Sequence, residues 1–134
     1  MKSIPQIQKF MTTQPHSIGY DISIKEAMNM MREHQIRHLP VENGGRLVGI
    51  LTDRDIKLAA SFKDAENLIS EEIMTPEPYT VSPNTPIDEV AKRMAEHKYG
   101  CAIVQQENGK VVGIFTITDA LRVLLEMTQE NYKH

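Results

Sequence analysis

The segment Gly49-Ile50-Leu51-Thr52-Asp53-Arg54-Asp55 returns as Gly113-Ile114-Phe115-Thr116-Ile117-Thr118-Asp119, so the chain carries one folding pattern twice. A long-period repeat constrains architecture more than any single residue, because each copy has an apolar face that its neighbour must cover. The copies can be followed almost end to end. Met11-Thr12 matches Met74-Thr75, Pro15 matches Pro78, and Glu33-His34 matches Glu96-His97 at a spacing of 63 residues; an extra residue near Glu107 moves the spacing to 64. The repeats therefore run over 1–64 and 65–134. Each is near the length at which an isolated core is marginal, and the expectation is two half-folds sharing one core.

Within each repeat the same order of elements can be read. Ile24, Ala27, Met28 and Met31, and again Ile87, Val90, Ala91 and Met94, fall on the i, i+3, i+4, i+7 stripe of a helix with one buried face. Ser23-x-x-Glu26 and Thr85-Pro86-x-Asp88 predict a capping box at each start, the second with proline at the first helical position. Two short apolar runs follow each helix, 38–42 then 46–51, and 101–104 then 110–115. Asn43-Gly44-Gly45 and Asn108-Gly109 lie between them as hairpin-turn chemistry. The second strand of each hairpin is apolar at consecutive positions, which predicts burial on both faces. A closing helix is expected from Asp53 to about Phe62 and from Ile117 to about Met127. Short strands around His16–Ile18 and Tyr79–Val81 complete a β-α-β-β-α unit in an α+β fold.

Composition removes several functions. Apolar residues make up 40% of the chain, and no apolar run approaches the roughly 20 residues that cross a bilayer. The first five residues lack the apolar stretch of a secretory signal, and the single cysteine, Cys101, has no partner in the chain; a reducing cytoplasm is the expected location. With a net charge of −3, scattered basic residues, no Trp, four Tyr and three Phe, there is neither a basic face nor a set of stacking aromatics, so nucleic acid is not the expected partner.

Thr52-x-x-Asp55 and Thr116-x-x-Asp119 fall where a buried strand turns into a helix. A capping box that satisfies the first amides accounts for either motif alone. A ligand-binding reading is the sharper alternative, which spacing alone ranks behind capping: a helix start offers free N–H groups to an anion, a carboxylate can accept two ribose hydroxyls, and threonine adds a short donor and acceptor.

A β-α-β-β-α unit ending in Gly-apolar-apolar-Thr-x-x-Asp, present twice in tandem, resembles the CBS domain pair, or Bateman module. Leu39-Pro40-Val41, Val48-Gly49-Ile50-Leu51-Thr52-Asp53-Arg54-Asp55 and Val81-Ser82-Pro83-x-Thr85-Pro86-Ile87 carry the likeness, which covers nearly the whole chain. The resemblance implies a regulatory module, packed about a pseudo-twofold axis, with two clefts for adenosine-containing ligands such as AMP, ADP, ATP or S-adenosylmethionine, and no required cofactor. On that pattern Asp55 and Asp119 would hold ribose hydroxyls and Thr52 and Thr116 would contact ribose or phosphate. Pro40, Val41, Ile18 and Val81 would flank adenine, with Thr85 a further polar contact near the base. Arg37 and His38 would assist the Thr116/Asp119 cleft. Arg54 and Lys98 would be the cations of the Thr52/Asp55 cleft, and Thr118 stands in the second motif where Arg54 stands in the first.

Other chemistries fit less well. His34-x3-His38 and His97-x3-Cys101 have metal-ligand residue types, but a helix end falls between the members of each pair, so i, i+4 spacing does not place them on one face. Cys101 begins an apolar strand, which suits a buried small hydrophobe better than a nucleophile. Asp55 and Asp119 occupy equivalent positions rather than the opposed environments of an acid and a base, so no catalytic residue is assigned. Met30, Leu58, Phe62, Leu121 and Leu125 exceed what one internal face can use, and the family's paired members make them candidates for a homodimer interface. The expectation is a stand-alone cytoplasmic CBS domain pair that signals to a regulated protein. A scaffold with empty clefts, and more remotely an enzyme, are the competing classes.

Overall fold

The computed structural model describes residues 3–132. Strands and helices follow in the order β1 (Thr12–Thr13), β2 (Ile18–Gly19), α1 (Ile24–His34), β3 (His38–Asn43), β4 (Arg46–Thr52), α2 (Asp53–Ala59), α3 (Ser70–Ile73), β5 (Thr75–Pro76), β6 (Thr80–Val81), α4 (Ile87–His97), β7 (Cys101–Gln105), β8 (Val111–Thr116) and α5 (Ile117–Asn131). Single 3-10 turns at Ile7–Lys9 and Ala65–Asn67 precede β1 and α3.

The residues form two compact units, one of Pro15–Pro78 and the other of the residues up to Gln14 with those from Tyr79 onward. These cuts, at 14/15 and 78/79, differ from the repeat boundary at 64/65. The leading segment of each repeat packs in the unit built on the other repeat, so neither repeat is a packing unit on its own.

In the unit Pro15–Pro78 the strand order is β2-β3-β4-β5: β2 runs parallel to β3, and the other pairs are antiparallel. The β3–β4 hairpin closes through Gly44 and Gly45 at φ 60° and 81°, the left-handed region that a two-residue turn needs and that glycine enters without a Cβ penalty. Ile24, Ala27 and Met31 of α1 pack on Leu39, Val41 and Leu51 of the sheet, with Ile18, Ile56 and Ala59 completing the core. Ser23 caps α1 by accepting from the Glu26 amide at 3.2 Å. The Ile24 amide is satisfied by the Leu68 carbonyl at 3.0 Å, from the leading segment of the second repeat.

The other unit repeats this plan in the order β1-β8-β7-β6. Its core is Ile7, Val90, Met94, Ala102, Val104, Phe115 and Val123. The Ile87 amide donates to the Pro5 carbonyl at 2.9 Å, as Ile24 does to Leu68. The capping box expected at Thr85 and Asp88 does not form. Pro86 is the N-cap, one position before the first helical residue, and no side chain caps it. Thr85 Oγ1 lies 3.1 Å from Ser82 Oγ, and the Thr85 carbonyl accepts from Ile7, so the Pro5 segment takes over part of the capping.

Other expectations shift in detail. The short strands expected over 16–18 and 79–81 run over Ile18–Gly19 and Thr80–Val81, because pairing starts at Ile18 with Val41 and at Thr80 with Ile103. Helix α2 stops at Ala59, where Ser61 Oγ turns back onto the Leu58 carbonyl at 2.8 Å, while α5 runs past Met127 to Asn131. Consecutive burial holds over Gly49–Leu51 and Gly113–Phe115.

Candidate functional site: two strand-to-helix junctions

The glycine that opens each repeated motif is required by packing. A Cβ on Gly49 would run into Met74 Sδ, and one on Gly113 into Met11 Sδ. Each methionine comes from the leading segment of the other repeat and crosses the strand just before the Thr-x-x-Asp turn. Close approach there needs a residue without a side chain.

Both capping boxes form. At the first junction the Thr52 amide donates to Asp55 Oδ2 at 3.0 Å, and the Asp55 amide donates to Thr52 Oγ1 at 3.1 Å. At the second the Thr116 amide donates to Asp119 Oδ2 at 2.9 Å, and the Asp119 amide to Thr116 Oγ1 at 3.3 Å. The carboxylates are otherwise unlike. Asp119 is 5% exposed and also accepts from Thr116 Oγ1 at 3.1 Å, from Thr12 Oγ1 at 3.2 Å and from Arg122 Nη1 at 3.3 Å. Asp55 is half-buried, and its Oδ1 takes no hydrogen bond from any described residue. Thr12 and Arg122 were not among the sequence candidates. The match of Met11-Thr12 to Met74-Thr75 and the i, i+3 spacing of Asp119 and Arg122 were the signals available for them.

The remaining candidates divide between the units. His38 pairs opposite Thr52, and the Arg37 carbonyl accepts the Asp53 amide at 3.0 Å, so the backbone of both is tied to the first junction. Arg37 and Arg54 are exposed. Ile18 and Val41 are register partners and belong to the buried core of their unit; Pro40 is also fully buried. Val81 and Thr85 are half-buried, and Val81 packs on the core of its unit. Thr118 is exposed in the first turn of α5. Lys98 is the left-handed C-cap of α4 and lines, with Met94, Tyr99, Phe115, Ile117 and Ala120, an open cavity of about 390 Å³ in its own unit. Asp55 borders a smaller cavity of about 240 Å³ with Leu58, Phe62, Glu72 and Ile73.

Helix α1 ends at His34 and β3 begins at His38, and α4 ends at His97 before β7 begins at Cys101; each spaced pair is split between elements. His34 stacks on His16 at 3.7 Å, and His97 stacks on Tyr99 at 5.2 Å. Among the described residues no group of three or more His, Cys, Asp or Glu side chains could hold a metal ion. Cys101 is buried, and desolvation pushes its thiol up to about 12 from an ordinary 9.0. At neutral pH it carries negligible thiolate, the form a nucleophile needs.

Comparison with known proteins gives the same result from several directions. The sequence model described as "CBS domain" matches residues 7–61 and 69–126. A CBS domain-containing protein of Bacillus subtilis, YhcV, is 34% identical over 84% of this chain and 81% of its own length. An inosine-5'-monophosphate dehydrogenase of Korarchaeum cryptofilum is 35% identical over 88% of this chain, which spans only 24% of that protein. Among solved structures, the CBS domain pair of protein MJ0100, in complex with 5'-methylthioadenosine and S-adenosyl-L-methionine, superposes with a TM-score of 0.86 at 32% identity, covering 93% of this chain and 99% of that one. CBSX2 in complex with AMP superposes with a TM-score of 0.78 at 25% identity, covering 92% and 98%.

Proposed function

Because this chain belongs to the CBS domain family and carries that domain twice, we propose that it is a regulatory sensor of an adenosine-containing ligand, AMP, ADP, ATP or S-adenosylmethionine, and not an enzyme. The observation that carries this reading is the pair of Thr-x-x-Asp junctions in a chain whose structural neighbours hold AMP, or S-adenosylmethionine and methylthioadenosine. Asp55 and Asp119 accept the ribose hydroxyls, and Thr52 and Thr116 contact ribose or phosphate. Arg54, Arg37, His38, Lys98 and Thr118 are the polar and cationic side chains available to the rest of the ligand. Ile18, Pro40, Val41, Val81 and Thr85 belong to the base-binding side.

The sensor acts in the cytoplasm as a homodimer and passes its state to a regulated protein. No described helix is long and apolar enough to cross a membrane. The dimer reading is supported by the apolar face of α5, where Ile117, Leu121, Leu124 and Leu125 are more than half exposed, and by the exposed Leu58 and Phe62. Met30 leaves the candidate set because it packs against the core of its own unit. A signal requires that the ligand favour one of two conformations over the other.

A scaffold is the second reading, and Asp119 favours it, because its carboxylate is already taken up by Thr12, Thr116 and Arg122. Melting curves with each nucleotide separate the two. A ligand that binds only the folded chain raises its stability by mass action, by about 2.7 kcal/mol at one hundred times its Kd. A scaffold melts at the same temperature in every one.

A further inference from the structure

The two junctions share Thr, Asp and a threonine from the opposite leading segment: Thr52, Asp55 and Thr75 in one, Thr116, Asp119 and Thr12 in the other. They differ three residues past the carboxylate, where the first repeat has Leu58 and the second has Arg122. In the first, Thr75 is exposed and makes no bond to Asp55 among the described residues. In the second, both oxygens of Asp119 are occupied, Oδ1 by Thr12 and Arg122 and Oδ2 by Thr116.

Resting on the ligand reading above, we propose that the two sites are ranked: Asp55 is open and takes the ribose diol first, while Asp119 is held by Arg122 and Thr12 and binds only when the ligand displaces them. A diol arriving at Asp55 finds Oδ1 without a donor among the described residues and a cavity alongside. A diol arriving at Asp119 must exchange two existing contacts for its own, so that part of its interaction yields no net gain. The hold is reversible because the Arg122 side chain is 72% exposed, and an ion pair with one partner in water is weak. One such pair and one neutral hydrogen bond correspond to a difference on the order of tenfold in affinity.

Two measurements test the ranking, one of them without ligand. Carbodiimide-driven coupling of glycine ethyl ester, located by peptide mass spectrometry on the folded chain, is expected to modify Asp55 several-fold faster than Asp119. Arg122→Leu, which copies the residue of the first repeat, is expected to narrow that gap. Calorimetric titration with AMP is expected to show a tight and a weak site, the tight one lost in Asp55→Asn and the weak one strengthened roughly two- to fivefold in Arg122→Leu, since Thr12 still holds the carboxylate. Equal labelling of the two carboxylates, a tight site that survives Asp55→Asn but not Asp119→Asn, or an unaltered weak site in Arg122→Leu would overturn the ranking. Unequal labelling with no heat from AMP, ADP, ATP or S-adenosylmethionine would leave Asp119 held and remove the ligand reading instead.

Discussion

At the scale of single residues the tightest constraint lies at Gly49 and Gly113, because methionine sulfur fills the space a side chain would take. Gly113→Ala is expected to destabilise by about 1–3 kcal/mol in urea titration, since the added methyl forces Met11 off its seat. Gly44→Ala should act through backbone strain alone, because its Cβ meets open space at φ 60°. Cys101 gives a chemical test of burial. Its thiol should resist iodoacetamide at pH 7.5 in the folded chain and react on unfolding; fast labelling of the native protein would contradict its placement. The same burial sets a pH dependence: the folded thiol stays neutral up to about 12 while the unfolded one ionises near 9.0. The unfolded state therefore binds fewer protons across that window, and the stability contribution, complete below pH 9, falls as pH rises toward 12.

At the scale of elements, the starts of α1 and α4 depend on segments distant in sequence, through the Leu68 and Pro5 carbonyls. Ile7 is fully buried in the core of the unit containing α4, and its amide and the Pro5 carbonyl bond to Thr85 and Ile87. Ile7→Ala should cost about 2–5 kcal/mol, measured by denaturant unfolding, although Ile7 lies in a single 3-10 turn outside every α-helix and strand. This exchange of leading segments was not legible in the sequence. Helices α1 and α4 announced themselves by apolar spacing, and the hairpins by Gly44, Gly45 and Gly109. The two-residue strands β1 and β5 have no alternation to read, and their pairing with β8 and β4 is long-range. The capping box at Thr85 failed for the same reason, since a carbonyl from Pro5 could not be foreseen from Thr85 and Asp88. On α5 the apolar face should mediate dimer formation. Leu121→Glu with Leu125→Glu is expected to halve the mass seen by light scattering, and a monomeric parent chain would contradict the assignment.

At the scale of the whole molecule, duplication supplies two similar junctions, and later divergence supplies their differences. The Thr-x-x-Asp pairs and their place before α2 and α5 were legible because local spacing determines a capping box. The unequal occupation of Asp55 and Asp119 was not, because it depends on Thr12 arriving from more than a hundred residues away and on an Arg122 rotamer. Under the proposed sensor reading, output depends on ligand concentration relative to Kd and not on turnover. The central claim is tested most directly by the melting temperature with AMP, ADP, ATP, S-adenosylmethionine and NAD, measured on the parent chain, Asp55→Asn and Asp119→Asn. The account predicts a rise with at least one of the first four ligands that is lost in Asp55→Asn; no rise with any of those four would contradict it.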